Sequence, residues 1–231
     1  IANTDAQFGG SDPLDNSGIL SYVRIEYAGI AFSPNNEING LTMGGVGAGT
    51  QIDHIQVSYA NDDSYEWFGG SVNCKYLIAW RGLDDELDTD NGFNGKVQFA
   101  FCKRDKNYFD FIAGGQSNGF ESDNEGTAPF LSAPYTKPVF VNITMVGPQN
   151  DSADVINANW GNLALLRRNA QTSVFNSILM GWRNGVEIRD TLTAINTQLD
   201  SLQMRNNIIQ APRNMVRQSN MAGTLASYNA A

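Results

Sequence analysis

The chain has 231 residues, 42% of them apolar and only 17% charged, with 23 glycines. That composition excludes a disordered polymer, and many Asn, Ser and Thr beside few long helix formers point to β-structure with frequent turns. The net charge of −9 is uneven, with 8 Lys/Arg against 19 Asp/Glu in residues 1–150 and 7 against 5 in residues 151–231, so the first part repels nucleic acid and suits metal cations or a cationic surface.

No apolar run approaches the ~18 residues of a membrane span. The chain opens at Ile1 without a signal-like segment, so an export signal or anchor is expected upstream, in a longer parent chain.

Taken in order, the chain repeats itself. Val23–Tyr27 is a first short apolar strand, and Ile55–Tyr59, Tyr76–Trp80 and Val97–Phe101 follow one another at intervals of 21 residues. Later copies are Asn142–Gly147, Asn176–Gly181 and Asn206–Ala211. Each reads as a strand with apolar residues at alternate positions and one buried face. In this phasing Tyr76 and Phe101 point inward and His54 is an outward surface residue.

Strands of a second type alternate with these: Asn39–Gly44, Ser64–Gly69, Glu86–Asn91, Gly119–Asp123, Leu163–Arg167 and Val186–Asp190. Gly/Asn turns separate the two types, and the short intervals leave no room for helices. A βαβ unit needs ~30 residues, and a sandwich or jelly roll would repeat this spacing only by accident. The spacing predicts an all-β fold, a right-handed parallel β-helix of about seven coils, each adding ~4.8 Å to a rod roughly 34 Å long. Two insertions, about 102–137 and 147–161, are expected as loops on one flank, and 213–231 as a tail or cap to a β-helix spanning 1–231.

The acidic stretch LDDELDTDNGFNG, residues 83–95, is one rung of this ladder. Stacking aligns Asp62, Asp84 and Asp105 in one column and Glu66, Asp88 and Asp110 in another, with carboxylates on adjacent rungs ~5 Å apart. Such a group needs a cation or Lys/Arg to neutralise it, and calcium accepts six to eight oxygen ligands in flexible geometry. The expected metal ligands are Asp84, Asp85, Asp88 and Asp90, with Asp62 and Glu66. An acidic turn solvated by water is the plain alternative. Gly92 stands where an EF-hand needs a ligand, so the stretch is not that motif.

Catalysis has weaker support. Glycosidases pair two carboxylates, which Asp84-Asp85 and Asp88-Thr89-Asp90 could supply, but the only histidine, His54, lies elsewhere. Elimination would need a cation and a base from Arg81, Lys103 or Arg104. No residue is assigned a catalytic role. Cys74 and Cys102 fall about seven residues apart along neighbouring rungs, roughly 23 Å, too far for a disulfide, and are expected as free thiols with Cys74 buried.

The segments GGSDPLDNSGILSYVRIEYAG (9–29), NNEINGLTMGGVGAGTQIDHIQVSYANDDSYEWFGGSVNCKYLIAW (35–80) and DELDTDNGF (85–93) resemble right-handed parallel β-helix repeat proteins of pectate-lyase-like architecture, in particular surface or secreted proteins of Bacteroidota. The resemblance implies the fold and an extracellular or outer-membrane-surface location, but no activity. The tripeptides at Asp151, Asp190 and Asp200 match the Asp-Ser/Thr-apolar pattern that such organisms O-glycosylate, making Ser152, Thr191 and Ser201 candidate acceptors.

The expected function is non-catalytic binding of a glycan or surface protein along one flank, with Tyr108, Phe109, Phe111 and Trp160 of the insertions as contact residues. The alternatives are a calcium-assisted polysaccharide lyase or glycoside hydrolase, and a scaffold subunit of an outer-membrane assembly. Nucleic acid is not an expected partner.

Overall fold

The computed structural model describes residues 7–30, 38–111 and 115–221. The elements in chain order are β1 (Ile19–Glu26), β2 (Leu41–Gly44), β3 (Gln51–Ser58), β4 (Tyr65–Phe68), β5 (Asn73–Trp80), β6 (Leu87–Asp90), β7 (Lys96–Lys103) and β8 (Phe120–Ser122). They continue with β9 (Val139–Val146), β10 (Asn162–Leu166), β11 (Ser173–Phe175), β12 (Ile178–Met180), β13 (Asn184–Arg189), α1 (Thr191–Gln198), β14 (Gln203–Arg205), β15 (Ile208–Gln210) and β16 (Asn214–Ser219).

The strands sort by type into two parallel sheets. The first runs β1-β3-β5-β7-β9, then β11 with β12 and β14 with β15, while the second runs β2-β4-β6-β8-β10-β13-β16. Among the described residues seven rungs wind around one core, the right-handed parallel β-helix expected from the repeats. Among the described residues no helix is long and apolar enough to cross a membrane.

The phasing of the first sheet differs from simple alternation. Ile55 aligns with Leu77, Leu77 with Ala100 and Ala100 with Ile143, so the intervals between the first three are 22 and 23 residues, not 21. β3, β5, β7 and β9 each bury three apolar residues at unequal steps, as in Ile52, Ile55 and Val57 or Cys74, Leu77 and Ala79. The cause is a left-handed residue inside each strand: Tyr22, His54, Tyr76, Phe99 and Asn142 all have φ between 53° and 62°. Such a residue breaks the alternation in the manner of a bulge, so two consecutive side chains face outward. Tyr76 and Phe101 are therefore 45% and 38% exposed rather than inward.

His54 is also more than a surface residue. Its ring stacks on Tyr22 at 4.3 Å and on Tyr76 at 4.5 Å, Tyr76 stacks on Phe99 at 5.2 Å, and Asp53 meets His54 Nδ1 at 2.7 Å. Four of these left-handed positions, Tyr22, His54, Tyr76 and Phe99, form an aromatic ladder up the outside of the first sheet.

The core side of the second sheet carries Tyr65, Trp67, Leu87 and Phe120, all fully buried. Trp67 stacks on Tyr65 at 5.9 Å and on Phe93 at 5.3 Å, and the Tyr65 hydroxyl donates to the carbonyls of Ile55 and Ile78. Cys74 and Cys102 are free and both are buried. Cys74 lies beside Val97 and Cys102 beside Ala79, which separates them by five residues along the strands, or about 17 Å, rather than seven.

β8 divides the first insertion, the second spans the connection between β9 and β10, and residues 214–219 of the expected tail form β16, paired with β13. Residues 222–231 lie outside the described residues. The helix α1 follows β13 and was not expected; Asp190 caps it by accepting from the Thr193 amide.

Candidate functional site

The outer face of the second sheet concentrates the acids. In-register pairing places Thr42, Glu66, Asp88, Glu121, Leu165, Glu187 and Arg217 in one row across the seven rungs. Glu66 and Asp88 join as expected, but their neighbour is Glu121, not Asp110. The excursion between β7 and β8 lengthens the step from Asp88 to 33 residues, which hides Glu121 from a fixed-interval reading.

The turns entering these strands bring further acids. Asp63 Oδ1 accepts from the Asp85 amide at 2.8 Å, Asp85 Oδ1 from the Asn118 amide at 2.5 Å, and Asn118 Oδ1 from the Asn162 amide at 2.8 Å. This ladder, one side-chain oxygen per rung, fixes the turns at the same height.

Three groups of carboxylate oxygens lie within 4.8 Å of one another: Asp62, Asp63 and Asp84; Asp63, Glu66 and Asp88; and Asp85, Asp88 and Glu121. Shared members make them one continuous cluster. Of its members, Asp63, Asp84, Asp85, Asp88 and Glu121 line a cleft of about 440 Å³ that Gln116, Leu165, Arg167 and Arg189 complete. Five of the six expected metal ligands meet in the cluster. Asp90 lies one outward position further along β6, and sequence reading missed Asp63 and Glu121. Asp105 leaves the first column to meet Arg81 at 3.4 Å, because the chain turns away after β7.

Burial dominates the electrostatics. It pushes the Glu66 carboxyl up to about 8 against a hydrogen bond from Asn39, with Asp62, Asp90 and Glu121 adding to the rise. It raises Glu121 to about 7 although Arg167 pulls the other way, and Asp90 to about 6. Asp63, Asp84, Asp85 and Asp88 are all held well above the usual carboxylate range, first by desolvation and then by neighbouring carboxylates such as Glu66, Asp110 and Glu121. One oxygen of Asp84, Oδ1, is buried with no hydrogen-bond partner. A cation among these oxygens would relieve both the repulsion and the missing partner.

Arginines brace the margins. Arg167 is paired with Glu121 and with Asp123 at 2.8 Å, and Arg168 reaches Asp123 at 2.6 Å. Burial alone would lower the Arg167 pKa, but Glu121 and Asp123 outweigh it and raise it. Held charged in this way, Arg167 cannot serve as a base. Behind the acidic turn, Arg104 donates to the carbonyls of Leu83 and Asp84 and pairs with Glu86.

The insertion aromatics divide. Trp160 is only 2% exposed and lies under Arg104, whose guanidinium carbon is 4.7 Å from the ring centroid, so it supports the acidic turn instead of contacting a ligand. Tyr108 packs edge-on to Tyr59 and donates to Asn61, while Phe109 lies against Phe111 at 4.7 Å and Trp160 at 6.0 Å. Phe111 is 64% exposed. Among the candidate acceptors, Ser152 is exposed and Thr191 and Ser201 are half-buried, with Thr191 at the start of α1.

Comparison with known proteins adds one finding. The family model described as a pectate-lyase like beta helix domain matches residues 2–230. No curated protein and no solved structure matches the chain.

Proposed function

From the chain's membership of the pectate-lyase-like β-helix family, we propose a non-catalytic glycan-binding protein of the extracellular or outer-membrane surface, whose acidic cleft holds calcium and seats its ligand on that ion. The carrying observation is the continuous cluster of Asp62, Asp63, Glu66, Asp84, Asp85, Asp88 and Glu121, with Asp84 Oδ1 lacking any partner. Calcium fits a set made of oxygen donors alone, and sugar hydroxyls can complete its shell of six to eight oxygens. The expected affinity is that of an extracellular calcium site, roughly 10⁻⁴–10⁻³ M.

Calorimetric titration of calcium chloride into EDTA-stripped protein tests this. Binding is expected in the wild type and is lost in Asp88→Asn and Glu121→Gln; a wild-type protein that takes up no calcium sinks the reading.

One observation favours a second reading, glycoside hydrolysis. Glu66 and Glu121, at about 8 and about 7, are carboxyls that can hold a proton near neutrality, as a general acid must. Release of reducing ends from a polysaccharide panel, abolished by Glu66→Gln or Glu121→Gln, would establish it.

A further inference from the structure

In the first-sheet ladder His54 and Tyr76 are covered by a neighbouring ring on both faces. A different aromatic pair stands beside the acidic cleft. Glu66 and Phe68 both project from the outer face of β4, two residues apart and so about 6.8 Å along the strand.

Phe68 opens onto a recess of about 550 Å³, roofed by the segment before β1 and floored by the turns that follow β2 and β4. The roof is anchored: the Ala48 amide donates to the Pro13 carbonyl at 2.8 Å, the Gly49 amide to the Asp15 carbonyl at 3.1 Å, and Ser71 Oγ to the Pro13 carbonyl at 2.5 Å. The turns of the floor run through Gly45, Gly69 and Gly70 at φ of 62°, 67° and 82°, conformations suited to glycine, and they pack against the backbone of Gly9, Asn91 and Val46. The Phe8 and Phe68 rings stand 5.9 Å apart at 39°, and Phe8 is 58% exposed. Asp12, Asp15, Asn91 and Asn94 add polar groups. Asp12 and Asp15 each use one carboxylate oxygen within the roof, on the Leu14 amide and the Ser17 hydroxyl.

We infer that this recess is a second saccharide site, taking a neutral sugar without a cation. A pyranose combines an apolar C–H face with a rim of hydroxyls, which matches phenyl rings beside carboxylate and amide groups. Among the described residues no Lys or Arg lines the recess, so phosphates and sulfated or uronic sugars would meet only negative charge. The inference rests on the glycan-binding reading but is independent of calcium.

The test is calorimetric titration of cellohexaose, xylohexaose and mannohexaose in EDTA and in calcium. Binding of at least one hexaose in EDTA is expected, weakened about tenfold or more by Phe8→Ala or Asn94→Ala and unchanged by Asp88→Asn. Asn94→Ala should keep the wild-type melting temperature, and Phe8→Ala should lower it by no more than the loss of one ring contact, leaving the protein folded at the titration temperature. Hexaose binding that requires calcium or ignores Phe8→Ala overturns this site and leaves the cleft standing. Recess-dependent binding by a protein that takes up no calcium does the reverse, and a wild type that binds none of the three in either buffer overturns the recess.

Discussion

Glu86 and Arg104 form an ion pair at 3.0 Å in which neither side chain reaches solvent. Ser64 Oγ donates to the other Glu86 oxygen at 2.6 Å, so the carboxylate is held from two rungs. The guanidinium carries the effect outward, binding the carbonyls that flank the acidic turn of the cleft.

Removing one member of this pair leaves the other charge buried and uncompensated. Arg104→Met is expected to cost about 3–5 kcal/mol, and Glu86→Gln combined with Arg104→Met to recover part of that loss. Urea denaturation of the single and double variants measures it; equal stabilities would show that the pair carries no such burden.

Calcium-free protein should lose stability as pH rises. Glu66 and Glu121 are raised by folding, from 4.5 to about 8 and about 7, so the folded state binds more protons than the unfolded one in that range. Their contribution is fully present below about pH 4.5 and disappears as pH rises through about 7 and 8. Melting curves in EDTA from pH 5 to 8.5 should show a falling Tm that Glu66→Gln flattens. Calcium should reverse the slope, because only the ionised carboxylates bind it; a Tm that rises with pH in EDTA contradicts the assignment.

The aromatic ladder makes His54 more costly to remove than its exposure suggests. His54→Ala deletes two ring contacts and Tyr22→Ala one. At about 0.5–1.5 kcal/mol per pair, the histidine variant should lose roughly twice as much as the tyrosine variant in urea. Equal losses would mean that the stacks contribute nothing.

Both thiols should be silent in the native state. Burial pushes Cys74 up to about 12 and raises Cys102 well above the ordinary range, so neither forms the thiolate that reacts. Ellman's reagent should titrate no thiol in buffer and two in guanidinium. Rapid labelling of the native protein would show that the interior opens.

The strand types, their alternation, the two-sheet solenoid and the acidic character of the 83–95 rung were legible in the residue order, because each coil must repeat a short strand with one apolar side. Register was not. A left-handed residue at His54, Tyr76 or Phe99 shifts the inward set without altering composition, and the excursion after β7 carries Glu121, 33 positions from Asp88, into its row. Trp160 reads in sequence as a loop aromatic and becomes the buried support of Arg104 only because a long connection folds back on the rod. Local periodicity therefore determined the coil, whereas hydrogen-bonded pairing between rungs decided which acids meet. Neighbours on the face of a β-helix are separated by a whole turn of chain, and the length of that turn is set by packing.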